Sequence, residues 1–166
     1  MLSAILDMCG QAEDWEERGM EQAVAESPGL SASDRQILER IVAGLPILAD
    51  IAGADLLIYR PVGQGRAVVV AQAGPHSVPP IYDEPLSGQI VTASEKPAVL
   101  DALESGSSTK GTQGVRAEGA PVVQEAQPIY GLDGTPIAAL SVEKTMIEYE
   151  RHRHRPIRFR KTLESL

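Results

Sequence analysis

Apolar residues along this chain follow two spacings, one typical of helices and one typical of strands. Helical spacing predicts a weak amphipathic helix over residues 2–25 and a stronger helix over 33–52. Ser33 is expected to cap the second helix, with Gln36 completing a capping box. Pro46 lies inside that helix and is expected to kink it or restart it.

Short apolar runs bounded by turn residues predict four strands in two hairpins. The first hairpin joins 54–62 to 66–73, and the second joins 122–130 to 135–144. Both strands of the first hairpin are too continuously apolar to keep one face in water, so we expect helices to cover that sheet.

The segments between the hairpins contain many proline, glycine and serine residues. We expect a proline-rich loop over 74–85, short helices over 86–95 and 97–105, and a flexible loop over 106–114. A last helix is expected to leave the domain from Thr145. This order predicts an α+β fold in which terminal helices clamp an antiparallel sheet.

Charge is distributed unevenly in the chain of 166 residues, whose net charge is −8. Residues 1–143 carry 8 Lys and Arg against 20 Asp and Glu, whereas residues 144–166 carry 7 against 3. An acidic body argues against a nucleic-acid surface. The sequence has neither a membrane-spanning apolar run nor a signal peptide, so we expect a cytoplasmic protein without a membrane partner.

No motif for catalysis or metal binding is complete. Gly63 and Gly65 begin a dinucleotide fingerprint, but Val68 stands where the third glycine belongs, so a hairpin turn is favoured. His152 and His154 point apart on a helix, and the single Cys9 lies far away in sequence. We therefore expect no catalytic residue and no metal site, and the sequence identifies no cofactor.

A ligand pocket is the candidate site that the sequence does indicate. His76 and Tyr82 lie in the proline-rich loop, and such loops at a sheet edge often line pockets. We predict that His76, Tyr82, Gln89 and Gln127 line a cavity between the loop and the sheet. Their mixed side chains suit a polar neutral or anionic ligand better than a bare cation. The alternative is a loop that merely packs on the sheet, with the Tyr82 ring buried.

Four segments together resemble the N-terminal GAF-like sensor domain of soluble bacterial two-component histidine kinases, over about residues 34–148. They read "LPILADIAGADLLIYRP", "VVVAQAGPHSVPPIYDEPLSGQIV", "EKPAVLDALESG" and "GVRAEGAPVVQEAQPIYGLDGTPIAALSVEK". The resemblance implies a GAF/PAS-like antiparallel sheet of five or six strands. It implies three regions: an N-terminal helical segment (1–30), the sensor domain (31–149) and a basic signalling linker (150–166).

The same resemblance implies a function in signal input. A small ligand or partner is expected to bind and the change to leave through the C-terminal helix. The expected partners are a second copy of the chain and downstream PAS or kinase domains. Phosphoacceptor and ATP-binding motifs are missing, so the chain is not expected to be an enzyme by itself. The alternative is a stand-alone dimeric adaptor without a small ligand.

Overall fold

The computed structural model of the protein describes residues 29–117 and 120–153, so the predicted helix over 2–25 and most of the basic linker lie outside the described residues. The described part contains three helices and six strands. In chain order they are α1 (Ala32–Ala52), β1 (Asp55–Gly63), β2 (Arg66–Ala73), β3 (Ile90–Thr92), α2 (Pro97–Ser105), β4 (Thr109–Ala117), β5 (Ala120–Tyr130), β6 (Pro136–Thr145) and α3 (Met146–Arg153).

All six strands form one antiparallel sheet in the order β3-β2-β1-β6-β5-β4. The two predicted hairpins are present as β1–β2 and β5–β6. They meet at the centre of the sheet, where β1 pairs with β6. The predicted α+β fold is confirmed, with six strands.

Helix α1 begins and ends at residues whose backbone suits a helix cap. Ser31, not Ser33, is the N-cap: its backbone is extended and its hydroxyl accepts a hydrogen bond from Asp34 N at 3.1 Å. Gly53 closes the helix in the left-handed conformation. A single helix runs through Pro46, so the predicted restart does not occur. None of the described helices is long and apolar enough to cross a bilayer.

The sheet separates two apolar cores. Helix α1 packs Leu38, Val42, Leu45 and Ala49 against one face, where the strands contribute residues such as Ile58. On the opposite face, α2 packs against a cluster that includes Leu57 and Tyr59. Alternate residues of β1 therefore serve different cores, as expected for a strand covered on both faces.

Helix α3 lies on the same side of the sheet as α1. Its Tyr149 hydroxyl accepts a hydrogen bond from Lys110 Nζ at 2.6 Å, and Lys110 also pairs with Glu125 of β5. Glu125 is the register partner of Val142, which packs against the α1 core. Both terminal helices of the described chain thus cover one face.

Two predicted connections turn out to be strands. The stretch 86–95, predicted to be a helix, contains the short strand β3 after a left-handed Gly88. The predicted flexible loop 106–114 is largely strand β4, which pairs with β5 at the sheet edge. A Cβ atom on Gly111 would lie 3.3 Å from the Ala98 Cβ, so this glycine lets α2 approach the strand closely. This glycine, which resembles a loop residue in sequence, is here required by packing.

The burial of α1 predicts a contrast between two aliphatic residues of the same helix. Leu45 is fully buried, whereas Ile51 is 78% exposed. Leu45→Ala should lower the free energy of unfolding by about 2–5 kcal/mol because it leaves a cavity. Ile51→Ala should change it by less than about 0.5 kcal/mol. Urea unfolding followed by circular dichroism measures both, and equal losses would contradict this packing of α1.

Candidate functional site

Three neighbouring strands place polar side chains side by side at one end of the sheet. Asp55 of β1 pairs in register with Glu143 of β6, and Glu143 pairs with Gln124 of β5. All three residues are buried on the face covered by α2. Because buried polar groups need partners, this row must be matched by donors from the layer above the sheet.

Glu143 receives most of those donors. Its side chain is fully buried, and its two oxygens accept hydrogen bonds from Lys96 Nζ at 2.8 and 2.9 Å. Gln124 Nε2 donates to Oε1 at 2.8 Å, and Ser141 Oγ donates to the same oxygen at 3.0 Å. The Tyr82 hydroxyl donates to Oε2. The carboxylate therefore accepts hydrogen bonds from the sheet and from the layer that covers it.

Lys96 and Tyr82 connect the sheet to the covering layer, which consists of α2 and the loop after β2. Lys96 is the residue before α2, and Tyr82 lies in the loop that follows β2. Lys96 Nζ donates to the Tyr82 hydroxyl at 2.8 Å and lies 5.3 Å from the centre of its ring. Burial and then the charge of Glu143 raise the pKa of Tyr82, so the phenol keeps its proton and remains a donor.

Two buried polar atoms beside this network have no hydrogen-bond partner among the described residues. They are Asp55 Oδ1 and the Tyr59 hydroxyl. The other Asp55 oxygen accepts from Ile81 N at 3.1 Å. Burial raises the pKa of Asp55 and Glu143 raises it further, against that hydrogen bond. Burial and then Glu143 also raise the pKa of Tyr59, so its hydroxyl keeps the proton.

A cleft opens between the loop and the sheet beside this network. Its volume is about 360 Å³, which lies at the small end for ligand pockets. The walls are mainly aliphatic and aromatic side chains, with amide, hydroxyl and charged groups among them. They are formed by Tyr59, Val69, Tyr82, Leu86, Gln89, Val91, Ser94, Glu95 and Lys96.

A second cavity, of about 230 Å³, lies near the start of α3. Its lining comes from the two residues between α1 and β1, from loop residues 78–81, from the ends of β1 and β6, which include Asp55 and Glu143, and from Ile147 and Glu148 of α3. Glu143 therefore borders this cavity and also binds Lys96 and Tyr82, which line the cleft. One residue connects the two spaces.

The structure brings together two of the four predicted site residues. Tyr82 and Gln89 line the same cleft. His76 does not: its side chain is exposed, its ring Nδ1 lies 3.0 Å from Asp50 Oδ2, and its backbone N–H donates to the same carboxylate. These hydrogen bonds tie the loop to the last turn of α1 and hold the imidazole away from the cleft.

Gln127 also lies apart from the cleft, because of strand register. It pairs with Leu140, whose side chain packs against the α1 core on the opposite face. Gln124 instead occupies the face of the cleft and binds Glu143. A strand turns alternate side chains to opposite faces, so a shift by one residue separates a site residue from an outward one.

Sequence reasoning missed Tyr59, Lys96 and Glu143. A usable signal was present in β6, where Ser141 and Glu143 stand two residues apart, follow the apolar run 136–140 and so share one face. Polar residues at inward positions of a covered sheet indicate a buried network. Their partner, Lys96, is 47 residues away from Glu143 and carries no local signal.

Residues 20–162 match the family model of the GAF domain of histidine kinase PdtaS. This protein belongs to that family. Its α+β fold and the antiparallel sheet between two layers agree with the assignment. No curated protein matches the sequence.

Solved structures support the fold of this GAF domain. It is similar to the sensor region of a sensor histidine kinase, with 24% identity and a TM-score of 0.56, over 74% of this chain and 41% of that one. It is also similar to a putative IclR transcriptional regulator from Silicibacter sp., with 17% identity and a TM-score of 0.52, over 69% of this chain and 57% of that one. The chain therefore spans about half the length of these relatives.

The buried ion pair predicts a large effect of removing its cation. Lys96→Met leaves the Glu143 carboxylate buried without a counter-charge, so the free energy of unfolding should fall by about 3–5 kcal/mol. Adding Glu143→Gln should recover part of that loss, because the uncompensated charge is gone. Urea unfolding of the two single variants and the double variant gives the coupling energy.

Lys110 and Glu125 provide a matched control for this experiment. They form a lysine–glutamate pair with 46% and 42% exposed side chains, against 6% and 0% for Lys96 and Glu143. Lys110→Met should cost at most about 1 kcal/mol. Equal costs for the two lysine variants would refute a structural role for the buried pair.

Proposed function

We propose that this GAF domain is a cytoplasmic sensory input domain of a histidine kinase and that it binds a small ligand in the cleft. The observation that carries the proposal is the construction of the cleft. Tyr82 and Lys96 form part of its wall, and both are bound to the buried Glu143. A molecule in the cleft contacts the same side chains that fasten the covering layer to the sheet.

Glu143 offers a short path from the cleft to the C-terminal helix. It lies two residues before the end of β6, and α3 begins directly after that strand. It also borders the cavity lined by Ile147 and Glu148 of α3. A ligand that binds one arrangement of Tyr82 and Lys96 better than another shifts the population of β6 and α3 by that difference in affinity.

In this proposal the domain contributes recognition and the rest of the kinase contributes chemistry. Downstream PAS and kinase domains are the expected recipients of the signal, with the basic stretch after α3 as the linker. The domain alone is expected neither to hydrolyse ATP nor to phosphorylate itself.

A second copy of the chain is the proposed partner. Helix α1 exposes Ile47, Leu48 and Ile51, and α3 on the same side of the sheet exposes Ile147. Apolar groups gathered on one face often mark a protein interface. This observation also suits the alternative function, a dimeric adaptor without a small ligand, so ligand binding and dimerisation need separate tests.

Ligand retention tests the sensory role directly. Native mass spectrometry of protein purified gently from the producing cells should show an added small mass. Gln89→Trp places a large ring in the cleft and should abolish that mass. Gln127→Trp is the matched control, since Gln127 is an exposed glutamine on the other face and its replacement should leave the mass in place. A protein without added mass, or one that retains it in both variants, would favour the adaptor.

Sedimentation tests the proposed dimer. The full chain should sediment as a dimer at tens of micromolar. Ile51→Glu combined with Ile147→Glu should produce monomers, because two charges would have to be buried in the interface. Val62→Glu alters an exposed apolar residue at the β1 turn and should leave the dimer intact. A monomeric wild-type chain would disprove the dimer without affecting the test of ligand binding.

A further inference from the structure

The charges of the cleft restrict the kind of ligand that it accepts. Lys96 is the one cationic side chain among its described lining residues, and both oxygens of Glu143 already bind its ammonium group. Glu95 at the rim is exposed and accepts two hydrogen bonds from Thr92, which lower its pKa and keep it charged. An anionic ligand therefore meets the carboxylate of Glu95, and the one cation of the lining, Lys96, is already bound by Glu143 behind the wall.

Moving Lys96 away from Glu143 to bind a ligand would cost free energy. Its departure would leave Glu143 fully buried with a net charge and only neutral donors around it. A cationic ligand faces the opposite difficulty: it has to displace an ammonium group that the chain holds in place at high effective concentration. The exposed Glu95 offers little compensation, because water and salt screen its charge.

The Tyr59 hydroxyl indicates one group that the ligand should contain, a hydrogen-bond acceptor. Tyr59 lines the cleft, is fully buried and makes no hydrogen bond of normal length among the described residues. The Glu143 carboxylate lies near enough to act on it, but this carboxylate already accepts from four other donors, which are Tyr82, Lys96, Gln124 and Ser141. It keeps its proton and is therefore a donor. A buried donor without an acceptor is costly and calls for a partner. The neighbouring walls, formed by Val69, Leu86 and Val91, are apolar.

We infer that the ligand is an uncharged small molecule with an apolar body and one hydrogen-bond acceptor, such as a carbonyl or ether oxygen, to which the Tyr59 hydroxyl donates. The inference rests on the proposed ligand-binding function and specifies its chemistry. The apolar body fills the space between Val69, Leu86 and Val91, and the acceptor inserts next to Tyr82 and Lys96.

A panel of matched fragments tests the charge preference. The panel contains monocyclic compounds in three forms that differ mainly in charge, of which benzamide, benzoate and benzamidine are the first set. Binding to the full isotope-labelled chain is followed by nuclear magnetic resonance at pH 7 up to millimolar concentrations. The amides should bind at least tenfold more tightly than the carboxylates and the amidines, and they should shift resonances of residues 86–96.

Tyr59→Phe tests the acceptor contact. The variant removes a hydroxyl that has no partner, so it should fold with unchanged or slightly raised stability. It should weaken amide binding fivefold or more and leave the binding of ethylbenzene, which has no acceptor, unchanged. Tyr130→Phe is the control: the Tyr130 hydroxyl is exposed and donates to the Gly106 carbonyl, away from the cleft lining, so its loss should not alter fragment binding.

The possible outcomes separate the ligand class from the proposed function. Tightest binding by carboxylates or amidines at residues 86–96 would overturn the inference and leave the sensory role standing. Unchanged amide affinity in Tyr59→Phe would also overturn it, since water alone would then satisfy the hydroxyl. Failure of every fragment to bind at the cleft, in a protein that also retains no ligand from cells, would overturn both.

Discussion

The ion pair between Lys96 and Glu143 holds three parts of this GAF domain in one place. Lys96 marks the start of α2, Glu143 lies near the end of β6, and Tyr82 brings in the loop after β2. A buried ion pair is seldom worth more than a well-packed apolar pair, yet losing one partner is severe. The position of the covering layer on the sheet therefore depends on two side chains that are far apart in the sequence.

The acidic excess around this pair has structural consequences. Asp55 and Glu143 are register partners on neighbouring strands, and like charges directly opposite each other are destabilising. Lys96 compensates one of them, and Ile81 N–H supports the other. Burial, and after it the charge of Glu143, raise the pKa of Asp55 against the hydrogen bond from Ile81 N–H. Glu143 also binds the ammonium group of Lys96, the one cation among the described residues that line the cleft. The same carboxylate therefore affects the energetics of the fold and the selectivity proposed for the site.

Local sequence patterns predicted the elements that depend mainly on interactions between residues close together in the chain. The two hairpins, α1 and α2 follow from apolar spacing and turn residues, whereas β3 and β4 do not. β3 has only three residues, which is too short for a recognisable pattern. The sequence of β4 resembles a loop because Gly111 is required by the close approach of Ala98 and has a low strand propensity. Of the site, Tyr82 and Gln89 follow from their loop. The structure places Gln127 on the opposite face because of strand register, and a hydrogen bond to Asp50, which only the tertiary fold creates, holds His76 away from the cleft.

An uncharged ligand can act on an ion pair without touching its charge. The cleft is open to solvent, so water reaches the half-buried Tyr82 and the small exposed part of Lys96 in its wall. On the proposed function, an apolar body in the cleft excludes that water. Coulombic attraction rises as the effective dielectric falls, so the interaction between Lys96 and Glu143 becomes stronger while its geometry is kept. Glu143 is then held more firmly at the end of β6, which is the point where α3 begins. In this proposal, occupancy of the cleft restrains the helix that leaves the domain, and the bound and free states differ in how tightly the Glu143 carboxylate is held.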